Sequence, residues 1–142
     1  QSMTALTSCR TTDEQVNAVR DLMNSVGRTI LIDEDYFPVF QALASCSPAW
    51  YFQIIDSFAR AGLKYGLSKD SAVEIAAQAM AGSAALLLAE RETGTIPAQL
   101  IDRVTSPGGT TIAGLLAAEE GGLSSALVGA VDASIHADSH LG

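Results

Sequence analysis

The stretch Ile75-Ala76-Ala77-Gln78-Ala79-Met80-Ala81-Gly82-Ser83-Ala84-Ala85-Leu86-Leu87-Leu88-Ala89 decides the fold, because it is apolar on almost every side of a helix. It belongs to the longest predicted helix, which begins at Ser68-Lys69-Asp70-Ser71 and ends near Glu92. A helix without a polar face must be surrounded by protein, either by its own fold or by a partner subunit. Small residues at its centre allow another helix to approach closely, and we favour a partner.

Helices on the N-terminal side are predicted from apolar residues at spacings of three and four. A capped helix begins at Thr11-Thr12-Asp13-Glu14-Gln15 and ends at Gly27, where a left-handed residue belongs. Carboxylates at Asp33-Glu34-Asp35 precede a helix that runs to about Ser45. Ser47-Pro48 then begins another helix, with serine as its cap, that continues to the glycines at 62 and 66.

The C-terminal side contains three more predicted helices. They run from Pro97 to about Val104, from Ile112 to the glycines at 121 and 122, and from Ser124 to about Asp138. Extended structure is expected only at Thr4 to Ser8, as the remnant of a strand, and at Arg28 to Ile32, as a strand or an extended link. The sequence thus predicts an all-α bundle of about six or seven helices.

The composition agrees with closely packed helices. A chain of 142 residues and 14.7 kDa with 48% hydrophobic residues can form one domain with a core. Alanine is abundant and aromatic residues make up only 6%, whereas sheets favour β-branched and aromatic residues. We interpret Gln1-Ser2-Met3 as a cloning remnant, and residues 4–142 as one helical domain of a truncated protein.

Charge and cysteine content restrict the partners and the compartment. With 16 acidic and 8 basic residues the net charge is -8, so nucleic acid and anionic membranes are not expected partners. The stretch from Ile75 to Ala89 extends over only about 22 Å as a helix, which we expect to be too short to cross a bilayer. Cys9 and Cys46 without a secretory leader predict free thiols in the cytoplasm.

The loop Ser106-Pro107-Gly108-Gly109-Thr110-Thr111 directly precedes an apolar helix. Such a loop leaves several backbone N–H groups at the positive end of the helix dipole, which predicts a site for a small anion. The loop lacks the lysine of a P-loop and the third glycine of a dinucleotide fingerprint, so a compact carboxylate fits better than a phosphate. The alternative is purely structural: the glycines end one helix and Thr110 caps the next.

Three segments resemble the pyrroline-5-carboxylate reductases, which make proline by reducing a cyclic imine. The run Asp102-Arg103-Val104-Thr105-Ser106-Pro107-Gly108-Gly109-Thr110-Thr111-Ile112-Ala113-Gly114-Leu115 resembles their signature. Ala44-Ser45-Cys46-Ser47-Pro48-Ala49-Trp50 and Ala76-Ala77-Gln78-Ala79-Met80-Ala81-Gly82-Ser83-Ala84 resemble two further segments in the same order. The resemblance runs from about Met3 to about His136 and covers only the C-terminal part of such enzymes.

The resemblance implies a domain similar to the C-terminal domain of 6-phosphogluconate dehydrogenase, forming an interlocked homodimer that can assemble further into rings. It also implies that the loop binds the substrate, with the backbone amides of Gly109, Thr110 and Thr111 holding the carboxylate and with Ser106 and Gly108 in contact. The Thr111 hydroxyl would orient the imine nitrogen and deliver a proton. Such an enzyme is an oxidoreductase of proline biosynthesis.

The resemblance further implies NADP or NAD as cofactor in the full-length enzyme, but none is expected for this chain. No Gly-x-Gly-x-x-Gly follows a strand anywhere, so the N-terminal nucleotide-binding domain is absent and we expect the fragment to be inactive. Ser45 and Ser47 replace glycines that are usual in the family, which puts close backbone approach at that segment in doubt.

Two other functions remain open: a related imine or β-hydroxyacid-type reductase domain, and a non-catalytic helical dimerisation module. A metal site at His136 and His140 is not assigned, because the pair lies near a fraying terminus without a third strong ligand. Cys46 is not assigned as a catalytic thiol, because neither histidine is adjacent in sequence. Asp56 and Gln78 are interpreted as hydrogen-bonded core or interface residues.

Overall fold

The computed structural model describes residues 2–140, most of which are helical. Two strands and seven α-helices follow one another along the chain: β1 (Ser2–Leu6), α1 (Asp13–Asn24), β2 (Gly27–Leu31), α2 (Phe37–Gln41), α3 (Ser47–Lys64), α4 (Lys69–Glu90), α5 (Pro97–Val104), α6 (Thr110–Glu120) and α7 (Leu123–Asp138). Short 3-10 turns cover Glu34–Tyr36 and Arg91–Thr93. The all-α class predicted from the sequence is confirmed, with one small sheet added to it.

The chain divides into two compact units. The first contains residues 1–49 and 128–142, and the second contains residues 50–127. The division falls inside α3 and α7. Both candidate features described below, the apolar face of α4 and the loop before α6, lie in the second unit.

The first unit contains a strand–helix–strand arrangement that the sequence indicated only in part. β1 and β2 pair in parallel, with Ser2 opposite Gly27 and Leu6 opposite Leu31. A capping box begins α1 as predicted, because Thr12 accepts from the Gln15 amide at 3.3 Å while the Gln15 side chain accepts from the Thr12 amide at 3.0 Å. Ser2 and Met3, which we set aside as a cloning remnant, take part in β1.

Gly27 does not end α1 in the left-handed region, so that prediction is wrong. α1 ends at Asn24, its C-cap is Ser25, and Gly27 is the first residue of β2. A Cβ at this position would collide with the backbone of Ser2, the paired residue on β1. The glycine is therefore required by the close approach of the two strands and not by a helix terminus.

The predicted break between two helices at Ser47 is also wrong. A single π-helical turn, Ala42–Cys46, joins α2 directly to α3, and the Ser47 amide donates to the Ala42 carbonyl. Ser47 is helical and buried, and its hydroxyl donates to the Leu43 carbonyl at 2.6 Å, so it caps nothing. The proline that follows has no amide and would strain a regular helix, and the wider turn accommodates it.

The turn between α3 and α4 brings the two helices close together. Gly62 lies inside α3, and a Cβ there would lie 2.8 Å from Ala72 Cβ on α4. Gly66 has φ +95° and ends α3 as predicted, and the Leu67 amide returns to the Gly62 carbonyl at 3.1 Å. α4 begins where predicted, and Ser68 caps it by accepting from the Ser71 amide at 3.1 Å.

The remaining helices begin and end close to their predicted limits. α5 covers the predicted residues, with proline at its first turn. α6 ends at Glu120, and Gly122 has φ +82° before α7 begins. Few residues of the described chain are deeply buried: these are Ala42, Ala59, Ala72 and Ser47. Many large apolar side chains are left exposed, so the described chain buries little of its own carbon surface.

Candidate functional site

The loop before α6 forms a tight turn built on two glycines. The Gly109 amide donates to the Ser106 carbonyl at 2.9 Å, and Gly108 has φ +68°, as the third residue of a type II turn requires. Pro107 supplies the fixed φ of the second residue. Gly109 is closely approached by Ser106: a Cβ on it would displace the Ser106 hydroxyl and lie 3.1 Å from the Ser106 carbonyl oxygen.

The helix that follows begins with backbone amides that have no internal partner. Gly109 occupies the N-cap position of α6 and has no side chain to cap it, so Thr110 is the first helical residue and not the cap. Within residues 2–140, the amides of Thr110, Thr111 and Ile112 donate no hydrogen bond to another protein atom. Three donors at the positive end of a helix dipole can together hold a carboxylate.

The predicted donor set changes in one respect. The Gly109 amide is used inside the turn, so the three available donors are shifted one residue along the chain, to Thr110, Thr111 and Ile112. Ser106 and Gly108 belong to the turn that precedes these donors. Thr110 and Thr111 are exposed, which leaves their hydroxyl groups accessible. The geometry fits a small anionic group bound mainly by the main chain.

The segment before the loop is held by a network of polar side chains. Arg103, in the last turn of α5, donates to both carboxylate oxygens of Glu90, with Nη1–Oε2 at 2.6 Å and Nη2–Oε1 at 2.9 Å. The Thr95 hydroxyl donates to Glu90 Oε2 at 3.3 Å. The Thr105 hydroxyl donates to the Ile101 carbonyl at 3.0 Å and closes the end of α5. The pair is not predictable from the sequence, because two residues 13 positions apart carry no local signal.

The apolar face of α4 forms the other candidate surface. Ile75 is 58% exposed, and Leu86 and Leu88 are each 46% exposed. A groove of about 730 Å³ runs along α4 and is lined almost entirely by carbon, by residues of α3 and α5 as well as α4: Phe58, Gly62, Leu67, Ala72, Ile75, Ala76, Ala79, Met80, Ser83, Ala84, Leu87, Pro97 and Leu100. Such a surface is characteristic of a protein interface.

The helical segment around α4 has the predicted length and is longer than the apolar stretch from Ile75 to Ala89 within it. The segment Lys69–Thr93 has 25 residues and a mean hydropathy of 1.6 over its most apolar window, and only 6% of that window is buried. By length and composition it could cross a membrane, so our expectation that it is too short does not hold for the whole helix. A helix at a subunit interface passes the same test of length and composition.

The other polar candidates lie outside this loop. Asp56 accepts from Arg60 at 2.6 Å and from Lys69 at 2.8 Å, and these two bonds, with that from Lys69 the larger influence, hold its pKa below the ordinary value of 3.8. Gln78 is exposed on α4 and is not a core residue of this unit. The His140 ring nitrogen Nδ1 contacts the His136 carbonyl at 2.6 Å, and the residues described contain no cluster suited to a metal.

Ser45 and Ser47, where the resemblance implies glycine, are in different surroundings. Ser45 is exposed within the π-helical turn and lines a small cavity with Phe37, Phe40 and Gln41. Gln41 donates to Asp138 Oδ1 at 3.2 Å, which ties α2 to α7. Ser47 is buried and bonded to its own helix. Its hydroxyl therefore does not extend toward a ligand, whereas that of Ser45 is accessible.

Comparisons with known proteins all identify the same family. The family described as pyrroline-5-carboxylate reductase dimerisation matches residues 34–141. The pyrroline-5-carboxylate reductase of Treponema pallidum is 42% identical over 118 residues, which are 83% of this chain and 44% of that protein. That of Glycine max is 37% identical over 123 residues, 87% of this chain and 44% of that protein. The chain therefore spans less than half the length of these curated relatives.

Solved structures show the same similarity. The pyrroline-5-carboxylate reductase of Coxiella burnetii superposes with a TM-score of 0.89 at 30% identity, covering 97% of this chain and 51% of that one. The Plasmodium falciparum pyrroline carboxylate reductase, solved with NADP bound, gives a TM-score of 0.80 at 27% identity and covers 97% of this chain and 56% of that one. The fold of the relatives thus includes the strand–helix–strand arrangement that precedes residue 34.

Proposed function

This chain belongs to the pyrroline-5-carboxylate reductase dimerisation family, and on that premise we propose that it is the substrate-binding and dimerisation part of an enzyme that reduces 1-pyrroline-5-carboxylate to L-proline. The observation that carries the proposal is the set of unpartnered amides of Thr110, Thr111 and Ile112 at the start of α6. They supply what a compact acid needs, on the loop that resembles the family's signature.

The substrate's acid group is held by these amides. A carboxylate placed on the axis of α6 accepts two or three N–H bonds and is further stabilised by the helix dipole. Ser106, Gly108 and Gly109 contribute by forming the turn that leaves the amides exposed. Fixing the carboxylate at one edge of the five-membered ring fixes the position of the imine at the other edge, and positioning is the main contribution a protein makes to hydride transfer.

Thr111 acts on the imine nitrogen. That nitrogen must be protonated or hydrogen-bonded for the neighbouring carbon to accept a hydride. The Thr111 side chain is exposed in the first turn of α6, beside the amides that hold the acid group. We assign to it the orientation of the nitrogen and delivery of a hydrogen bond or proton. A strong side-chain base is not required for this chemistry.

In the full-length enzyme a reduced nicotinamide cofactor, NADPH or NADH, would supply the hydride and would be held by residues outside this chain. The residues present do not fit that cofactor. The strand-to-helix connection between β1 and α1, Thr7-Ser8-Cys9-Arg10-Thr11-Thr12, contains no glycine, whereas dinucleotides need a glycine-rich turn at such a place. We therefore propose that this chain alone is inactive and that an N-terminal nucleotide-binding domain completes the enzyme.

The apolar groove along α4 is the proposed homodimer contact. Its carbon lining and the exposure of Ile75 leave the second unit incomplete as a single copy, and burial of such a face against a second copy removes it from water. Further assembly of dimers into rings is part of the same proposal. Sedimentation of the chain at micromolar concentration in buffer without detergent tests it: a dimer is expected, and a stable monomer contradicts it.

The reaction is tested by cofactor oxidation with the full-length protein and pyrroline-5-carboxylate. We expect turnover by the wild type, a reduced rate for Thr111→Ala, and partial recovery for Thr111→Ser, which keeps the hydroxyl. An unchanged rate in Thr111→Ala removes the role assigned to that residue. Failure of the wild type to oxidise either cofactor contradicts the function itself. We propose a cytoplasmic location, and recovery of the full-length protein in a membrane fraction contradicts it.

A further inference from the structure

We propose that the Glu90–Arg103 ion pair positions the substrate loop, so that Arg103 sets the affinity for the substrate's acid group without touching it. The expected effect on KM rests on the proposed function. The expected effect on the loop does not: without the ion pair, the amides of Thr110 and Thr111 no longer converge on a single acceptor position.

The first step concerns the weak anchoring of α5 by apolar contacts. This helix has only eight residues, a length that is marginal in isolation. It contains no buried residue, and only Leu100 is even half-buried. Leu100 and Pro97 lie against the groove at the beginning and middle of the helix. Its last turn, which leads into the substrate loop, does not line the groove.

The ion pair holds this last turn of α5. Arg103 makes two parallel bonds to the Glu90 carboxylate, at 2.6 Å and 2.9 Å, which fix the orientation of the guanidinium as well as its distance. Glu90 is the final residue of α4, the longest helix, and its side chain is only 26% exposed. Thr95 bonds the same carboxylate, so the connection between α4 and α5 is fixed by the same group.

The path from Arg103 to the amides is short and stiff. The Thr105 hydroxyl bonds back to the carbonyls of Ile101 and Asp102, and the next residues form the type II turn closed by the bond between Ser106 and Gly109. A rotation of the last turn of α5 is therefore transmitted to the first turn of α6. A displacement of about 1 Å in a binding group can cost up to about 100-fold in rate, so a small rotation is measurable.

The decisive variant is Arg103→Gln in the full-length protein. Because the Arg103 side chain is 54% exposed and solvent screens the pair, we expect a rise of about three- to tenfold in KM for pyrroline-5-carboxylate. The value of kcat and the KM for the cofactor stay unchanged. Arg103→Lys, which can make only one of the two bonds, recovers part of the loss, and the exchanged pair E90R/R103E recovers part of it as well.

The matched control is Asp56→Asn. It removes the other ion-pair cluster of the second unit, on α3 and the start of α4, without touching α5 or the loop. Its KM is expected to equal that of the wild type. Added salt raises the KM of the wild type and of Asp56→Asn more steeply than that of Arg103→Gln, because only the first two retain an ion pair that salt can screen at Glu90.

A readout that does not need turnover separates this inference from the proposed reaction. In substrate-free protein labelled with 15N-threonine, Arg103→Gln shifts the amide resonances of Thr110 and Thr111, whereas Asp56→Asn leaves them in place. The inference is overturned if Arg103→Gln moves neither these resonances nor the KM, or if Asp56→Asn moves them equally. The inference is also overturned if kcat and the cofactor KM change as much as the KM for pyrroline-5-carboxylate, because such a result indicates a general loss of structure.

Discussion

The face of α4 and the first turn of α6 are both incomplete in a single chain, but they lack different things. α4 exposes carbon, at Ile75, Leu86 and Leu88, and almost no polar groups along its groove. The start of α6 exposes backbone donors at Thr110 and Thr111. Covering the first requires apolar surface of matching shape. Covering the second requires hydrogen-bond acceptors, and an anion suits the positive end of a helix dipole best. The difference indicates a protein partner at one and a small acid at the other.

The two interactions are similar in size and differ in direction. Full burial of one large aliphatic side chain is worth about 1.5–3 kcal/mol, and a hydrogen bond to a charged group is worth about 1.5–3 kcal/mol. Burial of carbon has no preferred direction, so the groove tolerates many apolar shapes. The amide bonds are directional, so the loop tolerates little displacement. Four predictions follow from this contrast.

A charge in the groove has the largest expected effect. Ala79→Glu places a carboxylate among the carbon atoms that line the groove, where a partner would leave it unpaired. We expect the dimer Kd to rise about 100- to 1000-fold, measured by sedimentation. Asn17→Glu, on the exposed side of α1, adds the same charge and should leave the Kd unchanged. If both variants remain dimeric, α4 is not the contact.

Removal of one amide has the next largest effect. Thr110→Pro deletes a donor at the first helical position, where proline is tolerated, and Gly109 before it already has the extended conformation that proline requires. We expect KM for pyrroline-5-carboxylate to rise about 10- to 100-fold in the full-length enzyme. Thr110→Ala keeps the amide and should change KM little. Equal KM values for the two variants would show that the Thr110 amide does not contribute to substrate binding.

Two glycine substitutions test the turn and should change Tm in opposite directions. Gly108 has φ +68°, so Gly108→Ala costs about 1 kcal/mol of folding free energy and lowers Tm by about 3 °C. Gly114 lies inside α6 with open space around it, so Gly114→Ala should raise Tm by a similar amount. Calorimetry of both variants checks the pair. A Tm for Gly108→Ala at or above that of the wild type contradicts the turn assignment.

Asp56 gives the smallest expected effect, and it depends on pH. Its pKa is lowered in the folded state by bonds from Lys69 and Arg60, so its ionised form stabilises the fold above the ordinary, unfolded value of 3.8. That stabilisation is lost as the pH falls through the lower, folded pKa. The Tm of Asp56→Asn should therefore be slightly lower than that of the wild type at pH 7 and equal to it at about pH 2. A difference that grows toward low pH contradicts this assignment.

Local signals predicted several elements of the fold correctly. Ser68 marked the start of α4, Pro97 the start of α5, and Gly122 the boundary before α7. Each of these depends on the conformation of a few neighbouring residues, which the sequence contains directly. The loop before α6 was recognised as an amide-rich helix start on the same basis.

The errors came from contacts between residues far apart or from competing local bonds. Gly27 looked like a helix terminus, but the close strand at Ser2 is what requires it. Ser47 looked like a cap, but a π-helical turn keeps the helix continuous through it. The amide of Gly109 is taken by the turn, and Arg103 is paired with Glu90 across 13 positions. The strand contact at Ser2 and the ion pair join residues far apart along the chain, which no spacing rule encodes, whereas the bond inside the turn is local and follows from Pro107 and Gly108.

The most direct test of the account is a titration of the amides at the start of α6. Full-length protein labelled with 15N at threonine is titrated with L-proline, which carries the same carboxylate on a five-membered ring. We expect saturable shifts of the Thr110 and Thr111 amide resonances, with smaller changes at Thr93 and Thr95 in the preceding network. Saturation of proline binding with the Thr110 and Thr111 resonances unmoved would contradict it.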